Sequence, residues 1–409
     1  MSKLSEQILK FDSGLLPDML QLKYEAMTEN AFRFYRGTCA LFYHDLALYG
    51  NLPLSPAAWI CGDLHLENFG SYRGNNKLVY FDLNDFDEAL LGPAAYEVVR
   101  LVTSIFVAFD TLDIEPERAG KMARLFVKTY SATLARGKAY SIEPRTAKGI
   151  VMKFLRAAER SKYRDLLEKR TEEKGKKLVL TMRDERHYKI EKKLRAELMA
   201  HITTWIEHSS DSPYNYKPKG VVFRLAGTGS VGVKRYLFLL KSTITRNKYL
   251  LIDMKQSKPA ALLPFIDNSQ PVWENEAARI TTVQNRMQYI TPLLLSTTVF
   301  RGDSYVMQEL QPVKDSINFK MIRDDYRDLY EVIDEMAMLT ASSQLRSAGM
   351  QGSANKDELI AFGLNPDWQK PLIAYADKYC GKVKANYKQF KKDFEKGAFA
   401  CIKSTEKNP

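Results

Sequence analysis

The sequence is poor in cysteine and in unbroken apolar runs, and each shortage excludes a class of protein. Its four cysteines (Cys39, Cys61, Cys380 and Cys401) share no CxxC spacing. Neither a disulfide-stapled scaffold nor a zinc ribbon is expected, and the thiols read as reduced and mostly buried. The nearest approach to a membrane helix, residues 101–109, falls far short of the ~18 apolar residues needed. The opening MSKLSEQILKFDSG interrupts its apolar pattern with charge before a signal-peptide core forms. Internal repeats and low-complexity tracts are also missing. The expectation is a soluble, cytoplasmic protein.

What is present is ordinary globular material: 45% hydrophobic and 27% charged residues over 409 positions. At ~150 residues per domain, that length allows two or three domains or one bilobal unit. Lys and Arg number 61 against 49 Asp and Glu, a net charge of +12. That favours anionic partners (nucleotides, phosphates, nucleic acid, acidic lipid) without choosing among them.

Residues 17–48 read as helical, with Pro53 and Pro56 barring continuation. A strand over 57–61 runs into GDLHLENFG, and a second over 77–82 follows the tight turn RGNN. From 96 to 208 the pattern is helical, including a charged stretch near 160–195 that reads as a solvated helical hairpin. Ser209 to Gly220 (SSDSPYNYKPKG) is the best linker candidate. Beyond it 221–225, 234–241, 249–255, 299–300 and 304–310 are strand-like, 273–289 is helical, and helices close the chain from about 324. The boundaries drawn are 1–215 for a helical lobe with catalytic and metal loops, 216–315 for a β-rich nucleotide lobe, and 316–409 for helices returning to the first.

Two acidic motifs carry chemistry. CGDLHLEN (61–68) and FDLNDFDEA (81–89) set short Asp-, His- and Asn-bearing loops after strands, which suits Mg²⁺ on a phosphate chain. Asp63 is placed to accept a hydroxyl proton, while Asn68 and Asp85 would hold the metal. Asp82 is a second ligand or a loop-orienting group, and His65 sits with Asp63 as a catalytic or hydrogen-bonding residue. The plain alternative has Asp63 and Asn68 capping turns.

AGTGSVG (226–232) spaces Gly227, Gly229 and Gly232 as G-x-G-x-x-G. A dinucleotide site needs a helix next, yet VKRYLFLLKST is β-rich and ITRNKY turns it back. This is a hairpin carrying a phosphate lid, as in protein kinases. In the following strand, period-two alternation puts Leu251, Asp253 and Lys255 on one face and Leu250, Ile252 and Met254 on the other. Lys255 is then the phosphate-binding lysine, with Glu276 (or Glu274) as its acidic partner. SYVMQELQP reads as a hinge, with Glu309 to Gln311 at the adenine edge. Arg33 and Arg36 in FRFYRG suit a phosphoryl oxygen, an acidic substrate or local carboxylates.

FRFYRG, CGDLHLENFG, FDLNDFDE, Arg100-Leu101 with Ser104, and SQLRSAG together resemble the DUF2252 family, a bacterial family of unassigned function. Separately, GDLHLEN is similar to the catalytic loop of aminoglycoside and choline phosphotransferases. By that likeness Asp63 matches the catalytic aspartate, Asn68 the metal asparagine and Asp85 the metal aspartate, while Glu97 stands where those enzymes often carry aspartate. The glycine loop follows the catalytic loop instead of preceding it. The resemblance therefore implies an α+β, bilobal, circularly permuted protein-kinase-like fold, and an ATP- and Mg²⁺-dependent phosphotransferase with an unknown hydroxyl acceptor. The rivals are a metal-dependent phosphoesterase using Asp63, His65, Asp82 and Asp85 without nucleotide, a nucleotide-sensing pseudokinase, and a nucleic-acid binder, for which no aromatic-plus-basic motif is found.

Overall fold

A computed structural model describes residues 2–400 except 176, 184–185, 210–211, 226–230 and 313–315. The chain opens with α1 (Lys3–Phe11), α2 (Pro17–Met27), α3 (Ala31–Gly37) and α4 (Cys39–Tyr49). Next come β1 (Ala57–Ile60), β2 (Phe69–Arg73), β3 (Val79–Leu83) and β4 (Leu90–Pro93), then α5 (Ala94–Thr111), α6 (Pro116–Arg136), α7 (Gly149–Arg160) and α8 (Tyr163–Arg170). β5 (Thr171–Lys174), β6 (Lys177–Leu180) and β7 (His187–Tyr188) lead to α9 (Lys192–His208). The later half contains β8 (Tyr216–Arg224), β9 (Arg235–Ser242), β10 (Tyr249–Gln256), α10 (Glu276–Met287), β11 (Ser296–Phe300) and β12 (Asp303–Glu309). It ends in α11 (Phe319–Ile322), α12 (Tyr326–Arg346), α13 (Lys356–Leu364) and α14 (Gln369–Glu395).

The molecule is mixed α+β, with fourteen α-helices among the described residues and a six-stranded antiparallel sheet in the order β11-β12-β10-β9-β8-β7. Local chemistry marks the element ends. Asn30 and Asn275 cap α3 and α10 by accepting from Arg33 N and Ala278 N. Pro116 starts α6, and left-handed Gly137 stops it. β10 keeps the expected alternation: Leu250, Ile252 and Met254 join one apolar cluster with Leu198 and Ile202 of α9, while Leu251 joins a different one across the sheet.

The main core is helical and draws on both chain halves. α5 is buried from Ala94 to Phe109 and packs against α6 and α14, while α6 packs against α12 and α13. Two small β pairs, β1 with β4 and β2 with β3, carry the acidic loops. Residues 171–180 depart from the expected helical hairpin. After α8 the chain forms the β5–β6 hairpin across Gly175, because Thr171 and Leu180 alternate inward while the charges between them point to solvent.

Candidate active site

The loop joining β1 to β2 carries CGDLHLEN. Gly62 has φ +79°, and a Cβ there would stand 2.1 Å from the Glu88 carbonyl oxygen. Only glycine lets this loop press against 85–88. Cys61 N donates to both carboxylate oxygens of fully buried Glu97 at 2.9 and 3.1 Å. Asn68 Nδ2 donates to Asp63 O at 2.6 Å, and Leu66 N to Ser104 Oγ at 3.2 Å. The Asp63 carboxylate is gripped by Arg100, whose Nε and Nη2 both reach Oδ1, at 3.0 and 2.7 Å. That guanidinium is wholly buried, 3.7 Å over the Tyr35 ring and 4.9 Å over Phe42. Burial pushes the Asp63 pKa up, and Arg100 opposes this without cancelling it.

β3 and the turn after it bring the second motif to the same place. Lys255, from the sheet, sets Nζ against the Asp87 carboxylate and 3.9 Å from Asp85 Oδ1. Burial disfavours the Lys255 ammonium, but Asp85 and Asp87 outweigh it and raise its pKa. Asp87 is raised by burial, with Lys255 opposing. Glu88 is pushed up to about 7 by burial despite the bond it accepts from Ala261 N. Arg279 of α10 ties the parts together, donating to the carbonyls of Asp87 (2.9 Å), Ala89 and Lys258 (2.8 Å).

Asp63, His65, Asn68, Asp85, Asp87 and Glu88 all line one cavity of about 700 Å³. Residues of α1, α4 and the segment 258–265 line the same cavity. A cavity of this size and mixed lining is typical of a small-molecule site.

Not every anticipated residue makes the contacts expected of it. Asp82 does not line the cavity. It is buried and takes Arg346 Nη2 at 3.2 Å and Leu83 N at 3.0 Å, contacts that suit the loop-orienting alternative. Glu276 pairs with Arg279 at 2.6 Å and not with Lys255. His65 accepts from Arg36 Nε at 3.2 Å, and burial, then Arg36 and Arg100, holds its pKa well below the ordinary value. Glu309 ends β12 and is raised to about 7 by burial. Beside it the Gln311 amide brackets the Arg73 backbone, accepting from its N at 2.7 Å and donating to its O at 2.8 Å. Gly232 has φ +99° and accepts from Leu16 N at 2.8 Å. Gly227 and Gly229 lie outside the described residues. The sequence reading had not singled out Asp87 or Arg279 or given Arg100 a role; an arginine inside the apolar stretch of α5 was the available signal for the last.

The sheet face that bears Lys255 is polar at one end and apolar at the other. Arg235, across from Lys255 in register, joins Arg224 on the Asp253 carboxylate, with Nε–Oδ2 at 2.8 Å and Nη1–Oδ1 at 2.7 Å. Burial favours a neutral Asp253, yet the two arginines prevail and pull it down to about 2. Farther along, Val222, Leu237, Leu239 and Leu251 are covered by Leu180, with Leu166, Leu167 and Met182. The Tyr163 hydroxyl accepts from Leu251 N at 2.6 Å. Thus α8 and the β5–β6 hairpin form a strap over that end.

No group of three or more His, Cys, Asp or Glu side chains among the described residues is arranged to hold a metal alone. Mg²⁺ usually takes one or two carboxylates and completes its shell with water and phosphate oxygens, so Asp85 and Asp87 fit an ion that arrives with a phosphate chain. No helix of the described residues is long and apolar enough to cross a membrane. Among protein families, the one described as "Uncharacterized protein conserved in bacteria (DUF2252)" matches residues 15–393. No curated protein and no solved structure matches the chain.

Proposed function

This chain belongs to the DUF2252 family, and we propose that it is a phosphotransferase that moves the terminal phosphoryl group of ATP, with Mg²⁺, to a hydroxyl acceptor on a circularly permuted kinase-like fold. One observation carries the reading: Lys255, presented by the central strand of the later sheet, meets Asp85 and Asp87 beside Asp63, although the sequence separates them widely. A lysine on a strand facing a metal aspartate and a catalytic-loop aspartate is the polar arrangement that phosphoryl transfer needs. The permutation is supported by the two end helices lying side by side, with Ser5 Oγ donating to Asp393 Oδ2 at 2.7 Å.

In this reading Asp85 and Asp87 would hold the metal, whose charge would offset that of the phosphates, and Lys255 beside them engages the donor's phosphate oxygens. Arg100 engages Asp63 Oδ1, and the Asp63 carboxylate receives the acceptor's proton. The acceptor oxygen bonds to the terminal phosphorus as the bridging P–O bond breaks, and ADP departs with that electron pair. The phosphoesterase alternative would use Asp63, His65, Asp82 and Asp85 together, and the pairing of Asp82 with Arg346 favours the phosphotransferase reading over it.

The test is thermal stabilisation by ATP with Mg²⁺. Wild type should shift, and Lys255→Ala and Asp85→Asn should each lose most of the shift. Asp63→Ala should keep it while losing about 10²-fold or more in transfer. A wild-type shift untouched by both binding-site variants would end the assignment.

A further inference from the structure

The cavity that Asp63 lines is also walled by side chains with no part in handling phosphate. Three rings stand there: Phe11 from α1, His44 from α4 and Phe265, with centroids 5.9 Å (Phe11–His44), 6.2 Å (Phe11–Phe265) and 5.8 Å (His44–Phe265) apart. All three line the cavity. Beside them Asp12 and Lys23 form an ion pair at 2.5 Å, 7% and 4% exposed, and both also line it. The Lys23 ammonium has three donors, and this is its one hydrogen bond among the described residues. A buried ammonium with open donors on a cavity wall is costly unless something else accepts from it.

Charge narrows what fits. Around Asp63 the lining carries Asp85, Asp87 and Glu88 together with Arg36 and Lys258, and around the three rings it carries Lys10, Asp12 and Lys23. Most of these charges are already paired within the protein, Asp63 with Arg100, Asp87 with Lys255 and Lys23 with Asp12, so the lining calls for neither a full cation nor a full anion. A neutral molecule carrying hydroxyls on several sides suits it, donating to carboxylates and accepting from ammonium groups. The rings offer apolar faces to its C–H surface.

Resting on the phosphotransferase reading, we propose that the acceptor is a neutral polyhydroxylated molecule of sugar size. One hydroxyl is held at Asp63, the body lies against Phe11 and Phe265, and the far hydroxyls engage the Asp12–Lys23 pair.

Saturation-transfer NMR and calorimetry on the full chain test this, with glucose, maltose and myo-inositol as neutral probes, choline as the cation and glucose 6-phosphate as the anion. At least one neutral probe should bind saturably in the millimolar range or tighter. Phe265→Ala and Asp12→Asn should each weaken it by about tenfold, while Lys255→Ala leaves it intact. Phe265→Leu, which keeps an apolar wall without a ring, guards against a folding defect and should retain part of the affinity. Tighter binding of choline or glucose 6-phosphate, no saturable neutral probe, or neutral binding indifferent to both wall variants would each overturn the proposal. Polyol binding that tracks the wall variants, with no Lys255-dependent ATP shift, would instead retain the chamber and remove the phosphotransferase reading.

Discussion

Arg100 illustrates how one buried charge organises a loop. Sandwiched between Tyr35 and Phe42 and bonded to Asp63 Oδ1, it opposes the upward pKa shift that burial imposes on that carboxylate. Arg100→Met should cost about 3–5 kcal/mol, because it strands a buried charge instead of replacing a pair. Urea unfolding measures this, and a loss below about 1 kcal/mol would show that the pair is dispensable. Glu97 gives a pH test. Burial raises it from 4.5 to about 8, so between those values the folded chain keeps a proton that the unfolded chain has released. Stability therefore falls as pH rises through that window, by at most ~1.4 kcal/mol per unit from this group. Glu97→Gln retains an acceptor for Cys61 N and should flatten the decline. Glu88, Glu309 and Glu335 are raised as well, so the readout is the difference between variant and parent from pH 5 to 8. Identical slopes would remove Glu97 from this role.

At the scale of elements, the strap is the part the sequence misread. Alternating inward Thr171 and Leu180 were hidden in a run of charge, and no local signal says that Leu180 will cover Leu237 and Leu251. By contrast, period-two alternation in β10 sufficed to put Lys255 and Asp253 on one face, and the motif glycines sufficed for the loop around Asp63. Partner choice was not legible. Lys255 takes Asp87 instead of Glu276 because Arg279 claims Glu276 and the 87–89 carbonyls together, a competition set only by tertiary packing. The strap is held mainly by partly buried side chains and the Tyr163–Leu251 bond, so its local opening should need little free energy. A nucleotide base seated on the apolar sheet face has to displace it. ATP with Mg²⁺ should accordingly speed tryptic cleavage at Lys174 and Lys177, and Tyr163→Phe should speed it further at a stability cost of about 1 kcal/mol. Protection of those sites by nucleotide would place the base elsewhere.

At the scale of the whole molecule, the helical core is closed by residues from opposite ends of the chain. Tyr24 and Phe34 meet Phe390 at ring centroids of 6.3 and 5.2 Å, Tyr379 donates to Asp45 Oδ2 at 2.8 Å, and Thr129 bonds Asp334. α5, buried along nearly its whole length, owes that burial partly to α14. The sheet is inserted between these halves, so the Asp63 loop rests on a core that is complete only after the sheet has been made. Removing the returning helices would expose the apolar face of α5 and leave Asp45 without Tyr379. At ~25 cal/mol per Å², losing a few hundred Å² of apolar burial is comparable to the whole net stability of most domains. A fragment of residues 1–208 should therefore show helical circular dichroism without a cooperative thermal transition. Adding a separate fragment of residues 317–400 should restore cooperativity, since the helices it supplies, α12 to α14, are those that pack on α5 and α6. A sharp transition in the first fragment alone would mean that the helical unit closes its core without the later chain, and that the order of segments places no constraint on assembly of the site.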